Sequence, residues 1–272
     1  MMAKTALVTG ASSGIGKAIA QELQAAGFQV YAAARRVERM TDLEQIGIIP
    51  IALDLTKEDS IAAYVDTILS KEKSIDVLIN NAGYGSYGAI EDVPLEEARR
   101  QFDVNLFGMA RLIQIVTPSM RENHDGKIVN ISSMGGKIWT KFGGWYHATK
   151  FAVEGFSDCL RMELKPFGLD VVVVEPGGIK TDWGIIAAEN LKKTSANGAY
   201  AEMANEAANS MIKNCSGSML SKPELIAKTV RKAVTKRRPR TRYLIGFGAK
   251  PMVWTHKIFG DRMFDWVIKN FS

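Results

Sequence analysis

The sequence is short of cysteine and of long hydrophobic runs, and each shortage excludes a class of protein. Its 272 residues contain two cysteines, Cys159 and Cys215, which offer neither metal-ligand spacing nor a disulfide framework. No stretch approaches the roughly 20 consecutive apolar residues of a membrane-spanning helix. The first residues, Met-Met-Ala-Lys, lead directly into a strand-like run and are too few for a signal peptide. We therefore expect a cytoplasmic protein that binds no metal.

Positive charge is in excess, but it is unevenly spread. The net charge is +6, and basic residues gather at 236–242, which read Lys-Arg-Arg-Pro-Arg-Thr-Arg. Such a run could bind nucleic acid or anionic lipid. No helix-turn-helix, zinc-finger or aromatic-ladder pattern accompanies it in the sequence. A solvated loop leading into a strand is therefore the favoured interpretation, and no nucleic-acid partner is predicted.

The first forty residues alternate between a strand, a glycine-rich turn, a helix and a second strand. The apolar run at 5–9 is followed by Gly-Ala-Ser-Ser-Gly-Ile-Gly at 10–16, a helical pattern at 17–26 and a strand at 29–33. Glycines in such a turn let the backbone approach a pyrophosphate, which lies against the positive end of the helix dipole. The turn therefore predicts a nucleotide site.

The end of the second strand indicates which dinucleotide would bind. A site for NAD places an acid about 20 residues after the glycines, where it holds the ribose 2′-hydroxyl. This chain has Ala-Ala-Ala-Arg-Arg at 32–36 and no acid before Glu38. Arg35 and Arg36 can instead pair with a 2′-phosphate. The sequence favours NADP.

Strands and helices continue to alternate through the first two thirds of the chain. Further apolar, β-branched strands are predicted at 48–53, 76–79, 127–131 and 171–174, with helical patterns between them. This alternation predicts an α/β fold of the Rossmann type, a doubly wound parallel sheet with helices on both faces. Ligands of such sheets bind beyond the C-terminal strand ends, where the polar motifs of this chain lie. With 46% hydrophobic residues, residues 1–272 suit one domain.

Tyr146 and Lys150 lie one helical turn apart in Tyr-His-Ala-Thr-Lys and form a plausible acid/base pair. A free tyrosine has a pKa near 10, and a nearby cation favours its phenolate form. We therefore expect Lys150 to lower the pKa of Tyr146. His147, the next residue, points about 100° away on a helix, and no catalytic role is predicted for it.

These motifs together resemble the single-domain short-chain dehydrogenase/reductase family. Thr-Gly-x-x-x-Gly-Ile-Gly at 9–16 is similar to the family's cofactor turn. Asn-Asn-Ala-Gly at 80–83 is similar to its strand-four motif, and Pro-Gly-x-x-x-Thr at 176–181 is similar to its segment over the nicotinamide. Asp54 resembles the adenine-contacting acid and Asn105 the catalytic asparagine. Ser133 stands 13 residues before Tyr146, as the substrate serine does, and Ser132 is one residue off that spacing.

The resemblance implies a seven-stranded sheet of order 3-2-1-4-5-6-7 and an NADP-dependent oxidoreductase. It implies that Tyr146 exchanges a proton with the substrate oxygen, Ser133 hydrogen-bonds that oxygen, Lys150 holds the ribose, and Asn105 holds a water that links Lys150 to solvent. The implied cofactor-binding residues are Gly10, Ser12, Ser13, Gly14, Ile15, Gly16, Arg35, Arg36, Asp54, Leu55, Asn81, Ala82, Gly83, Tyr146, Lys150, Pro176, Gly177, Ile179 and Thr181. A homo-dimer or homo-tetramer is also implied.

The C-terminal third is expected to determine the substrate. Residues 183–219 are predicted to form a helical lid, and 246–272 form an apolar, aromatic tail. The tail could pack over the active site, join a subunit interface or lie on a membrane. Its bulk resembles the hydroxysteroid and retinol dehydrogenase branch, which implies a hydrophobic alcohol or ketone. Alternative functions are an NADP-sensing regulatory binder without turnover, an NAD-dependent member of the same family, a peripheral membrane protein and an epimerase or dehydratase.

Overall fold

A parallel seven-stranded sheet of order β3-β2-β1-β4-β5-β6-β7 forms the centre of the computed structural model, which describes residues 3–217 and 219–271. Ser218 of the predicted lid and Ser272 of the predicted tail lie outside the described residues. The strands are β1 Thr5–Thr9, β2 Gln29–Ala34, β3 Ile49–Ala52, β4 Val77–Asn80, β5 Lys127–Ile131, β6 Asp170–Pro176 and β7 Arg242–Ile245. The helices are α1 Gly14–Ala25, α2 Thr41–Glu44, α3 Glu58–Leu69, α4 Leu95–Phe102, α5 Gly108–Glu122, α6 Gly144–Leu164, α7 Trp183–Ser195, α8 Ala201–Ser216, α9 Pro223–Thr235 and α10 Ala249–Phe271.

The strands read as continuous apolar runs because both faces of the sheet are covered. Successive side chains of β1 point to opposite faces, so that Ala6 and Val8 pack against α1 and α9, while Leu7 packs towards α3, α5 and α6. Burial of both faces fixes the register, in which Leu7 lies beside Tyr31 of β2 and Leu78 of β4. The predicted fold class, strand order and helices on both faces are confirmed.

The chain between α4 and α5 departs from the predicted pattern. The sequence predicts only helical periodicity there, whereas α4 runs into a π-helical stretch, Asp103–Phe107, and then directly into α5. Such wide turns are frequent at functional sites. This one contains Asn105, and it reaches the Gly83 end of β4.

The two helices of the predicted lid pack against each other and against Tyr87 and Tyr146. Small side chains of α7 and α8, such as Ala188 and Ala204, are buried between them and allow close approach. Trp183, the first residue of α7, contacts the ring of Tyr146 at a centroid distance of 5.0 Å. The residues predicted as a lid therefore form one wall beside α6, which carries Tyr146.

The apolar tail forms the last helix, α10, and one of its faces packs on the loop between β5 and α6. Phe264 and Ile268 are buried there with Ile138, and Trp139 donates a hydrogen bond to Asp265 at 2.9 Å. Gly260 has φ +73°, which breaks the helix into two segments. In the described part of the chain, no helix has the length and apolar character to cross a bilayer.

Candidate active site

The predicted site residues meet at the C-terminal edge of the sheet, where β1, β4, β5 and β6 end. The glycine-rich turn joins β1 to α1, and the Asn-Asn-Ala-Gly motif follows β4. Ser133 follows β5, and α6 places Tyr146 and Lys150 beside it. In parallel sheets this edge also receives the N-termini of the following helices, so that backbone amides and motif side chains converge there.

The turn after β1 is locked to the end of β4 by hydrogen bonds. The Asn81 amide donates to the carbonyl oxygens of Thr9 and Gly10 at 2.9 and 3.3 Å, and the Thr9 hydroxyl accepts from the backbone nitrogens of Asn81 and Ala82, both at 3.0 Å. A Cβ on Gly10 would lie 2.8 Å from Ala82 Cα, and a Cβ on Gly16 would collide with the Gly10 carbonyl and the Asn81 amide. These glycines are therefore required by the close approach of two backbones.

The start of α1 fits a phosphate group. Ser13 precedes the helix with an extended φ of −163° and, within the described chain, makes no side-chain cap hydrogen bond. The first amides of α1 therefore remain available to an anion. Thr181 lies over this turn, since a Cβ on Gly14 would be 3.1 Å from the Thr181 methyl carbon. Ser12 and Ile15 are half-buried in the same turn, so the segment after β6 and the turn after β1 face each other.

Basic side chains lie at the end of β2, where a 2′-phosphate would be read. Arg35 and Arg36 are both exposed. Burial alone would raise the pKa of Asp54, but hydrogen bonds from the Thr56 backbone and hydroxyl and the nearby charge of Arg35 lower it. Arg35 therefore lies near the predicted adenine-contacting acid. Leu55 is buried, and its carbonyl packs against α5 at Gly108.

Asn105 and Lys150 meet beside Gly83. A Cβ on Gly83 would lie 3.1 Å from Asn105 Oδ1 and 3.8 Å from Lys150 Nζ. The Asn105 side chain accepts from the Tyr84 backbone nitrogen at 3.0 Å and donates to the Tyr84 carbonyl and to Thr149 at 2.9 and 3.1 Å. Its amide is therefore largely occupied by the protein. The water-holding role implied for Asn105 stays a prediction.

Lys150 is buried and is held by the strand that carries the serine loop. Its Nζ donates to the Ile131 carbonyl at 2.8 Å and lies 6.0 Å from the centroid of the Tyr146 ring. Burial lowers the pKa of Lys150 to about 8, although Glu154 one turn further along α6 opposes this shift. The Lys150 ammonium group therefore loses its proton close to the neutral pH range.

Tyr146 is kept neutral by its surroundings. The side chain is 8% exposed, and burial raises its pKa to about 12, while a hydrogen bond from Ser133 acts in the opposite direction. The predicted lowering of the Tyr146 pKa is wrong, because burial outweighs the hydrogen bond from Ser133, and the Lys150 ammonium is directed at the Ile131 carbonyl. A neutral tyrosine is a proton donor.

Aromatic rings lie around Tyr146. Tyr87 and Trp183 lie 6.0 and 5.0 Å from the Tyr146 ring, and Tyr87 meets Trp183 edge-on at 5.8 Å. Phe142 packs against the same cluster. Tyr87 comes from the loop after β4, where no motif marks it, and sequence reasoning missed its contribution. The surroundings of the Tyr146 ring are therefore largely aromatic and apolar.

His147 supports the loop that carries Ser133, although it takes no place among the reacting groups. Its Nδ1 lies 2.9 Å from the Gly135 carbonyl, which can only accept, and its Nε2 accepts from the Thr140 backbone nitrogen at 3.0 Å. This pattern requires the neutral Nδ1–H tautomer. Burial lowers the pKa of His147, and the hydrogen bond to Gly135 opposes that shift. The imidazole thus ties both ends of the loop to α6.

The structure brings most of the predicted residues together and gives others a packing role. Gly177 donates to the Ile245 carbonyl at 2.9 Å, and a Cβ there would meet Ala249, so it fits β6 against the start of α10. Pro176 ends β6, and Ile179 packs on the core. Thr9 was missed as a side chain that orders the turn; its position at a strand end, next to Gly10, is the available signal.

Comparisons with known proteins agree with this geometry. Residues 4–192 match the family model described as short chain dehydrogenase. A probable short-chain type dehydrogenase/reductase of Helicobacter pylori is 35% identical over 260 residues, covering 96% of this chain and 94% of its own. A 3-ketodihydrosphingosine reductase of Bacteroides thetaiotaomicron is 42% identical over 182 residues, 66% of either chain. The crystal structure of a short-chain dehydrogenase from Streptomyces avermitilis superimposes with a TM-score of 0.82 at 33% identity, covering 99% and 96% of the two chains.

Related structures hold nicotinamide cofactors of both kinds. A metagenomic short-chain oxidoreductase in complex with NADP has a TM-score of 0.71 at 28% identity, covering 89% and 96% of the two chains. A 3-ketoacyl-(acyl-carrier-protein) reductase from Brucella melitensis complexed with NADH has a TM-score of 0.74 at 26% identity, covering 88% and 95%. With a glycine turn, an apolar tyrosine site and these relatives, this chain belongs to the short-chain dehydrogenase/reductase family and is a nicotinamide-dependent oxidoreductase that acts on alcohol or carbonyl groups.

Proposed function

We propose that this protein is an NADP(H)-dependent reductase of hydrophobic ketones, with Tyr146 as the proton donor. The observation that carries the proposal is a neutral Tyr146 that is hydrogen-bonded by Ser133 and enclosed by the rings of Tyr87 and Trp183. A bound nicotinamide supplies or accepts the hydride. Around it, the side chains of this protein handle the proton and the charge that develops on the substrate oxygen.

Ser133 is oriented to donate its hydroxyl hydrogen. The Gly135 backbone nitrogen donates to Ser133 Oγ at 3.0 Å, so the serine oxygen already accepts and its own hydrogen is left for the Tyr146 or substrate oxygen. In reduction, the proton of Tyr146 passes to the carbonyl oxygen while Ser133 hydrogen-bonds that oxygen. Lys150 then places a positive charge behind the phenolate that forms.

NADP is favoured over NAD by the basic end of β2. Arg35 and Arg36 are exposed there, and an acid that would repel a 2′-phosphate is missing from 32–36. The residues proposed to hold the cofactor phosphates and ribose are the turn at 10–16, Asn81 to Gly83, Lys150 and Thr181. The uncapped start of α1 fits the pyrophosphate.

A long-chain ketone is the substrate class that best fits the apolar wall. The predicted lid, α7 and α8, adds alanines and Trp183 to the aromatic cluster. The Bacteroides relative, by its name, reduces 3-ketodihydrosphingosine. The hydroxysteroid or retinol dehydrogenase branch predicted from the tail stays a prediction, and it also implies a bulky apolar substrate.

The test measures NADPH and NADH oxidation with short, sugar, steroid and long-chain 3-keto substrates. We expect turnover with NADPH and with apolar ketones. Tyr146→Phe should bind NADPH normally and lose about 10³-fold or more in kcat/KM, which is the scale of general acid catalysis. Tyr64→Phe on α3, away from the site, is the control.

A second arm of the same experiment concerns the cofactor. Arg35→Ser should raise KM for NADPH about tenfold and leave KM for NADH unchanged, since only the 2′-phosphate contact is lost. Arg39→Ser removes the same charge from a neighbouring exposed position. Wild-type levels of turnover in Tyr146→Phe would remove the tyrosine from the reaction, and cofactor binding with no turnover of any carbonyl would favour a regulatory binder.

A further inference from the structure

The outer face of α10 exposes an unusual amount of apolar surface for a helix that is anchored on its other side. Five large side chains are between 45% and 64% exposed, namely Trp254, Ile258, Phe259, Met263 and Trp266. They recur at helical spacing on either side of the Gly260 break, away from the buried Phe264 and Ile268. The helix is therefore amphipathic in both segments, with five large apolar side chains about half exposed on its outer face.

Cations are interleaved with these apolar side chains. Lys250 and Lys257 share a stripe with Trp254, and Lys257 Nζ lies 5.5 Å from the centroid of the Trp254 ring. Arg262 and Lys269 flank Trp266 in the second segment. All four cations are exposed, and among the described residues they take part in no ion pair.

The acids of α10 are engaged in contacts within the molecule. Asp261 pairs with His256 Nε2 at 3.0 Å, and Asp265 accepts from the Trp139 indole at 2.9 Å. Both carboxylates are engaged in contacts, and the Asp261 side chain is 77% exposed, so the outward face presents apolar groups and more cations than acids. Its chemistry is complementary to a surface that is apolar inside and anionic at its edge.

A second copy of the chain would fit this face poorly. A two-fold interface places the same patch against itself. It would therefore bring the four cations of one α10 against the four of the other, with the two acids already engaged. Like charges at a close interface repel. An anionic lipid surface is complementary to both the apolar side chains and the cations, because tryptophan and lysine prefer the boundary between acyl chains and phosphate groups.

We infer that the outer face of α10 binds the surface of anionic bilayers, with Trp254, Ile258 and Trp266 among the acyl chains and the lysines at the phosphates. The inner face of the helix packs on Ile138 and Trp139, in the loop that begins at Ser133. This inference concerns binding alone and stands independently of the proposed reaction.

The experiment is co-sedimentation of the full chain with vesicles of phosphatidylcholine and phosphatidylglycerol in equal parts, and with phosphatidylcholine alone. We expect binding to the anionic vesicles that weakens as salt rises. Lys250→Gln/Lys257→Gln should reduce the partition coefficient about 25-fold, since each cation near an anionic surface contributes about fivefold. Trp254→Ser/Ile258→Ser should reduce it at least as much.

Two matched controls separate α10 from the rest of the surface. Arg237→Gln/Arg238→Gln removes the same charge from the exposed basic run and should leave binding within twofold. Met162→Ala removes an exposed apolar side chain from α6 and should do the same. Circular dichroism and Tm confirm that each variant folds.

Three results would overturn the inference. One is the absence of wild-type binding to anionic vesicles at low salt. Another is an equal loss in the Arg237/Arg238 control, which would assign binding to the basic run. The third is concentration-dependent dimerisation in the ultracentrifuge that Trp254→Ser/Ile258→Ser abolishes without changing vesicle binding, which would assign the face to a second copy.

Discussion

At the scale of single residues, Tyr146 and Lys150 show how burial divides a proton-transfer pair. Tyr146 is held neutral, with its pKa raised to about 12 by burial, while the pKa of Lys150 is lowered to about 8 by the same cause. The spacing of the two residues is visible in the sequence. The sign of the tyrosine shift is not, because it depends on Tyr87 and Trp183, which are distant along the chain and meet Tyr146 only in the fold.

The lysine predicts the pH dependence of carbonyl reduction. Lys150 is protonated below its pKa of about 8, and its charge is lost as the pH rises through that value. Tyr146 stays protonated over the same range. We therefore expect kcat/KM for reduction, which reports the ionisation of the free enzyme, to fall above about pH 8 with the slope of a single deprotonation, about tenfold per pH unit.

The measurement is kcat/KM for a soluble ketone between neutral and alkaline pH. Lys150→Arg keeps the charge and should move this decline beyond the range in which the wild type shows it. A flat profile in the wild type, or the same decline in both proteins, would show that a group other than Lys150 controls the alkaline side.

At the scale of elements, the glycine-rich turn is where pattern and structure agree best. The spacing of Gly10, Gly14 and Gly16 between a strand and a helix predicts close backbone contacts. The structure supplies them through Asn81, which hydrogen-bonds the Thr9 and Gly10 carbonyls. The partner strand could be named from the sequence only through the family resemblance, since parallel pairing between β1 and β4 joins residues some 70 positions apart.

Gly16→Ala should disturb both the turn and the cofactor site. The added Cβ meets the Gly10 carbonyl and the Asn81 amide, and overpacking of this kind costs about 1–3 kcal/mol of unfolding free energy. We expect NADPH affinity to fall about tenfold, because the amides that would bind phosphate move with the turn. Denaturant unfolding and cofactor titration measure the two effects.

Gly155→Ala on α6 is the matched control. The added Cβ has open space around it among the described atoms, and alanine is the better helix former, so stability should hold or rise slightly. If Gly16→Ala bound NADPH as tightly as Gly155→Ala, the turn would not be the phosphate site.

Other elements were only partly accessible from the sequence. The periodicity at 95–120 predicts helices but not the π-helical stretch that turns Asn105 towards Gly83. The composition of 183–219 predicts helices, but their packing on Tyr146 depends on the crossing of α7 and α8. The tail is apolar in sequence, and the structure divides it into an inner face on the serine loop and an outer exposed face.

At the scale of the whole molecule, a buried charge cluster joins the last strand to the catalytic helix. Arg242 of β7 contacts Glu154 at 3.1 Å and Asp158 at 2.6 Å on α6, and Glu175 of β6 at 3.3 Å. Lys137, from the loop after β5, adds a contact of 3.0 Å to Glu154. Both glutamates are almost fully buried, and burial together with the nearness of Glu154 raises the pKa of Glu175.

Arg242→Met should destabilise the protein by about 3 kcal/mol, because it leaves buried carboxylates without their main cation. The loss should be larger at pH 8 than at pH 5. A carboxyl whose pKa is raised in the fold contributes its stability below its unfolded pKa, and that stability is lost as the pH rises through the folded value.

Chemical denaturation at both pH values measures this effect. Arg240→Met, at an exposed position two residues earlier, should change stability by less than about 0.5 kcal/mol. Adding Glu175→Gln to Arg242→Met should recover part of the loss at pH 8. If Arg242→Met and Arg240→Met lost equal stability, or if the loss in Arg242→Met did not depend on pH, Arg242 would act through packing rather than charge.

The position of Arg242 also has a consequence for biosynthesis. Glu154 and Glu175 leave the ribosome well before the arginine that neutralises them, and the strands that carry the cofactor turn and the catalytic helix are complete by then. Until β7 emerges, β6 remains an open edge, and Glu175 on β6 and Glu154 on α6 are carboxylates that resist burial. A nascent chain that already contains its reactive groups therefore cannot complete its sheet until almost the full length has been synthesised. A message truncated before codon 242 encodes a chain whose open sheet edge is accessible to chaperones and proteases.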